Sequence, residues 1–135
     1  MEIQTDSAEG TESAAAELAR RLRPGDTVLV SGELGSGKTT FVRGACRALG
    51  VQGPVTSPTF TVGHVLGGSP EVAHLDLYRL ESLAGEDPAL LDDYLTPDRI
   101  GFVEWPGAGE PAFEHVAARV LLEHLGGDRR RITVE

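Results

Sequence analysis

The sequence predicts an α/β domain of three layers, with a mainly parallel central sheet and an antiparallel hairpin at its C-terminal end. Three observations predict it. Thr27-Val28-Leu29-Val30, a short apolar run rich in β-formers, leads into a glycine-rich turn and then a helical stretch from Thr39 to Leu49. Val72–Tyr78 and Ile100–Val103 are two more short apolar runs of the kind that a parallel sheet buries on both faces. Near the end, Gly126-Gly127-Asp128 separates two β-prone stretches. With 135 residues, the chain reads as one domain over 1–135, long enough to bury a core without disulfide or metal support.

The elements follow in order. Ser13 is placed to cap a helix over 13–23, where alanines favour the helical state and Leu18 and Leu22 share a face; Pro24-Gly25 ends it. The strand Thr27–Val30 and the helix Thr39–Leu49 come next, with Gly50 ending the helix. Pro54 and Pro58 break up Val55–Leu66, which reads as a mobile loop entering a short strand, and Gly67-Gly68-Ser69-Pro70 is the following turn. In Val72–Tyr78, alternation puts His74, Asp76 and Tyr78 on one face and Ala73, Leu75 and Leu77 on the other. Glu86–Leu95 reads as a helix with Pro88 in its first turn, and the strand Ile100–Val103 ends at Glu104-Trp105-Pro106. For the tail, Phe113, Val116, Val120 and Leu121 also fit a helical stripe over 113–125. A hairpin with strands over 118–125 and Arg129–Val134 is the preferred reading.

Composition narrows the function. The 12 basic and 21 acidic side chains leave a net charge of −9, which argues against a free-standing nucleic-acid binder. Residues 18–50 carry six basic and two acidic groups, whereas 51–128 carry three basic and thirteen acidic. An acidic surface of this kind suits a protein partner better than a polyanion. The single cysteine, Cys46, forms no internal disulfide and reads as core packing; a reducing compartment follows. Residues 1–17 hold five acidic and no basic side chains, and no run nears the roughly 18 apolar residues of a membrane span, so the expectation is a cytoplasmic domain with no membrane contact.

The chemistry concentrates in one segment. Gly32-Glu33-Leu34-Gly35-Ser36-Gly37-Lys38-Thr39 fits the phosphate-binding pattern G-x-x-x-x-G-K-[ST], and it lies between a predicted strand and a predicted helix, where that pattern works. Glycines let successive backbone N–H groups turn towards phosphate oxygens, and the helix N-terminus adds its dipole. Lys38, the only lysine beside eleven arginines, reaches the β- and γ-phosphates, and the Thr39 hydroxyl takes a Mg²⁺ position. This makes the domain P-loop NTPase-like, with ATP and Mg²⁺ as expected cofactors. The metal also needs an acid at the end of an apolar strand, and Asp76 and Glu104 are the two candidates.

Four segments together, GELGSGKTT (32–40), TSPTFT (56–61), HLDLYR (74–79) and VEW (103–105), resemble the TsaE family, formerly YjeE. These are bacterial P-loop ATPases required for threonylcarbamoyladenosine beside the tRNA anticodon, and the likeness runs from about Thr11 to Val134. The resemblance implies that Glu33, Leu34, Gly35, Ser36, Gly37, Lys38 and Thr39 cradle the phosphates with Thr40 also binding the cofactor, and that Thr39 and Glu104 ligate Mg²⁺ with Trp105 packed alongside. It implies a switch-like loop over 56–61, with Thr59 and Thr61 as polar contacts. Asp76 would hold the metal shell or orient the attacking water, which makes Lys38, Asp76 and Glu104 the catalytic set. Thr11 and one terminal arginine, Arg130 by spacing, would lie near the base. His74 reads as a structural hydrogen-bonder. The implied partners are the TsaD and TsaB proteins, with tRNA reached only through their complex.

Rival activities are a small-molecule P-loop kinase and a nucleotide-dependent binding partner with little turnover. A kinase lid lined by arginines finds little support in Arg79, Arg99 and Arg119, the only arginines between the helix after the loop and the tail. A GTPase is excluded, because Asn-Lys-x-Asp needs an asparagine and a second lysine, and the chain has neither.

Overall fold

The computed structural model of the protein describes residues 1–33, 35–56, 63–77, 89–104, 113 and 115–135. Among these, the strands are β1 (Glu2–Thr5), β2 (Thr27–Gly32), β3 (Gly63–Leu66), β4 (Val72–Asp76), β5 (Ile100–Glu104), β6 (Val116–Gly126) and β7 (Arg129–Val134). The helices are α1 (Ala8–Ala19), α2 (Lys38–Ala48) and α3 (Ala89–Asp92). One sheet takes the strands in the order β1-β7-β6-β2-β5-β4-β3. β6, β2, β5 and β4 run parallel, while β1, β7 and β3 join antiparallel at the two sides.

The apolar runs explain which strands are central. Val28 and Val30 of β2, with Ile100 and Phe102 of β5, point to one face, where Ala15, Ala19, Phe41, Val42, Ala45 and Cys46 of α1 and α2 cover them. Leu29 and Val103 point to the other face, into a second cluster with Leu75, Leu91 and Phe113. Side chains that alternate along a strand need a cover on each side, so the sheet lies between two apolar layers.

Several boundaries differ from the sequence reading. The helix 13–23 is α1, which starts at Ala8 because Ser7, extended at φ −155° and ψ 161°, is the cap and its Oγ accepts from Gly10 N at 3.0 Å. It stops at Ala19, where Arg21 and Leu22 turn back on the carbonyls of Leu18 and Ala19 ahead of Pro24. β1 was not anticipated. At the tail the hairpin forms and the helical alternative does not, with β6 beginning at Val116. Of the helix expected over 86–95, the described residues 89–95 are helical only over α3, after which Tyr94 and Leu95 turn back on the carbonyl of Leu91; 86–88, the loop 57–62 and Tyr78 lie outside the described residues. Among the described residues, no helix is long and apolar enough to cross a membrane.

Candidate functional site

β2, β5 and β4 are parallel, so their C-terminal ends open on the same edge of the sheet, the usual place for a ligand crevice in such folds. The turn from β2 into α2 occupies that edge. Gly37 is the cap residue of α2 at φ 101°, a conformation open to glycine, and it offers no side-chain cap to the first N–H groups of the helix. Ser36 is buried, and its Oγ has no hydrogen-bond partner among the described residues. Lys38 is only 5% exposed and donates from Nζ to the carbonyls of Gly32 at 2.7 Å and Glu33 at 2.9 Å. Burial lowers its pKa, against the opposing pull of the Glu104 and Asp76 carboxylates. A helix start with no side-chain cap, a buried hydroxyl without a partner among the described residues and a partly desolvated ammonium suit a phosphate chain.

Glu104 and Asp76 stand beside each other as register partners at the ends of β5 and β4. Glu104 is 2% exposed, whereas Asp76 is half-buried. Thr39 Oγ1 donates a long bond of 3.5 Å to Glu104 Oε2, and His74 Nε2 lies 2.5 Å from that same oxygen. Among the described residues no group of three His, Cys, Asp or Glu side chains could hold a metal by itself. Mg²⁺ in a P-loop site takes one or two protein oxygens and completes its shell with phosphate and water. The hard oxygen donors of Thr39 and Glu104, one hydroxyl and one buried carboxylate, match that demand.

Next to the loop is a cavity of about 70 Å³ lined by Ser7, Ala8, Thr11, Gly37, Thr40, Asp128 and Arg130. Arg130 donates from Nε to Ser36 O at 3.0 Å and from one terminal nitrogen to Gly35 O at 3.3 Å. Its other terminal nitrogen ties the hairpin turn through Gly127 O and Arg129 O, both at 2.9 Å. Arg131 points to the opposite face, towards Glu2 and Glu123, and Arg129 bonds Leu125 O. Of the three adjacent arginines, Arg130 is the one that reaches the loop.

The structure thus groups Glu33, Gly35, Ser36, Gly37, Lys38, Thr39, Asp76 and Glu104 at one strand edge, with Thr11, Thr40 and Arg130 around the adjoining cavity. Leu34, Thr59, Thr61 and Trp105 lie outside the described residues. Ser7 and Asp128 line the cavity and were not singled out in the sequence; only the spacing of Ser7 before a helix hints at it. Cys46 lies in the core, where burial pushes its thiol up to about 12, well away from a nucleophilic role at neutral pH.

Comparison with known proteins gives a consistent result. Residues 5–132 match the family model "Threonylcarbamoyl adenosine biosynthesis protein TsaE". The tRNA threonylcarbamoyladenosine biosynthesis protein TsaE of Streptomyces coelicolor is 42% identical over 121 residues, covering 87% of this chain and 74% of that protein. The Bacillus subtilis protein of the same name is 34% identical over 131 residues, covering 96% and 82%. The crystal structure of Bacillus subtilis YdiB superimposes with a TM-score of 0.81 at 29% identity, over 99% of this chain and 83% of that one.

Proposed function

The chain belongs to the TsaE family of threonylcarbamoyl adenosine biosynthesis proteins, and from that premise we propose that it is a Mg²⁺-dependent ATPase serving threonylcarbamoyladenosine formation on tRNA. The observation that carries the proposal is the cradle at the end of β2, where Lys38, Ser36 and the start of α2 face the same edge as Thr39, Asp76 and Glu104. In this reading Lys38 exchanges its two loop carbonyls for phosphate oxygens, and the loop N–H groups take the rest of the negative charge. Thr39 and Glu104 hold the metal. A Mg²⁺ ion held by these two residues would supply positive charge for the phosphate oxygens. Asp76, half-buried beside Glu104, orients the attacking water or supports the metal shell. Thr11, Thr40 and Arg130 receive the nucleoside end in the adjoining cavity.

The work of hydrolysis is done in company. We read TsaB and TsaD as the partners, tRNA as reached only through them, and the cytoplasm as the compartment; the acidic composition supports the second, because a net charge of −9 disfavours direct binding of tRNA. Thermal unfolding tests the premise of the site. ATP with Mg²⁺ at about 100 times its Kd should add roughly 2.7 kcal/mol of stability. Lys38→Ala should lose most of that gain while melting as the wild type does without ligand. An undiminished ATP shift in Lys38→Ala would overturn the assignment.

A further inference from the structure

His74 has no assigned part in the site, yet it makes a close, buried polar contact there. Its ring is fully buried and its Nε2 lies 2.5 Å from Oε2 of Glu104, itself 2% exposed. A carboxylate removed from water in this way needs a partner, and the partner also decides where its oxygens point. The register shows how the contact arises. β4 and β5 are parallel with His74 opposite Phe102 and Asp76 opposite Glu104, so residues 74 and 104 sit on the same face one diagonal apart. An ionised carboxylate only accepts, so a hydrogen bond between the two groups is one that Nε2 donates to Glu104. Nδ1 is left without a hydrogen-bond partner among the described residues, so the hydrogen bonding of the ring is spent on Glu104. Glu104 Oε2 in turn meets the Thr39 hydroxyl at the start of α2. A chain of contacts therefore runs from the interior of β4, through Glu104, to the first turn after the loop.

Resting on the nucleotide reading above, we propose that His74 is a positioning residue for the metal site: it fixes the Glu104 carboxylate in the orientation that Mg²⁺ requires, without touching metal or nucleotide. Ligating carboxylates are commonly held by such an outer partner, and losing one typically costs 10- to 100-fold in metal affinity. An ordinary core histidine would act differently. Its loss would weaken the whole pocket, with or without metal.

The test follows a fluorescent ATP analogue bound to the intact protein, titrated with Mg²⁺ and, separately, held in EDTA, for the wild type, His74→Leu, His74→Gln and Lys38→Ala. His74→Leu should raise the Mg²⁺ concentration at half-saturation about tenfold or more, with analogue affinity in EDTA unchanged. His74→Gln, which can place an amide N–H near the position of Nε2, should return the Mg²⁺ midpoint to within about threefold of wild type. A wild-type Mg²⁺ midpoint in His74→Leu, an equal loss of affinity in EDTA, or a failure of glutamine to restore the midpoint would each overturn the proposal. If His74→Leu does not fold, His74→Gln decides alone: a folded protein with a near-wild-type Mg²⁺ midpoint supports it, and any other result overturns it. Nucleotide binding by the wild type that equals that of Lys38→Ala would overturn the nucleotide reading itself, and this proposal with it.

Discussion

At the ends of β4 and β5, two carboxylates occupy adjacent register positions in different surroundings. Glu104 is sealed inside with an imidazole and a threonine hydroxyl on one oxygen, while Asp76 keeps partial access to the crevice. A fixed carboxylate suits a metal ligand; a half-buried one has room to take a water. Glu104→Ala should therefore raise the Mg²⁺ requirement for ATP binding by about tenfold or more. Asp76→Ala should bind ATP nearly as well but lose turnover by about 10²-fold or more. Nucleotide titrations beside steady-state hydrolysis check both, and the opposite pattern would exchange the two roles. The loop was legible in the sequence because all its determinants are local: glycines, Lys38 and Thr39 at fixed spacing. Among Arg129, Arg130 and Arg131, spacing favoured Arg130 but did not fix the choice. Which of them faces the loop depends on the register of β7 against β6, and that register shifts between His124 and Gly126. A residue's own identity holds no record of such a shift.

The two helices that cover one face of the sheet, α1 and α2, approach closely because of one residue. A Cβ on Gly44 of α2 would lie inside the backbone of Glu12 in α1. Ala15 and Ala19, both buried, continue the small-residue contact. Gly44→Ala should destabilise the protein by about 1–3 kcal/mol through overpacking, even though alanine favours the helical state by roughly 1 kcal/mol. Denaturant unfolding measures the difference. A neutral or stabilising result would mean that α1 moves aside at no cost. Since α1 carries Thr11 to the cavity, ATP affinity should fall in the same variant. The local pattern disclosed the central strands and α2, whose apolar runs and terminal glycine need no distant information. It did not disclose β1, where Glu2-Ile3-Gln4-Thr5 offers one apolar residue and owes its strand form to pairing with β7. It also misplaced the cap of α1, because Ser7 and Ser13 are equally able to accept a backbone N–H and only the tertiary contact of α1 with α2 selects the longer helix.

At the scale of the whole molecule, charge decides what can dock. A net −9, with thirteen acidic groups against three basic ones over 51–128, repels a phosphate backbone. Bare tRNA should bind more weakly than about 10⁻⁴ M at physiological salt, the loose end of non-specific association. A TsaB–TsaD heterodimer should instead form a complex with the protein when ATP or a non-hydrolysable analogue is present, and should stimulate its hydrolysis of ATP. Gel filtration and filter binding read these outcomes; tight capture of tRNA alone, or phosphoryl transfer to a small molecule without a partner, would contradict them. The sheet order also dictates a sequence of events during synthesis. Of the described strands β1 leaves the ribosome first, and its neighbour in the sheet is β7, which leaves last. Arg130, which clasps Ser36 across a gap of 94 residues, emerges at the same late moment. A nascent chain can therefore assemble β2, α2, β4 and β5 while its first strand waits unpaired and its phosphate loop lacks the clasp. The site proposed for the nucleotide would gain Arg130 last, when the closing hairpin docks.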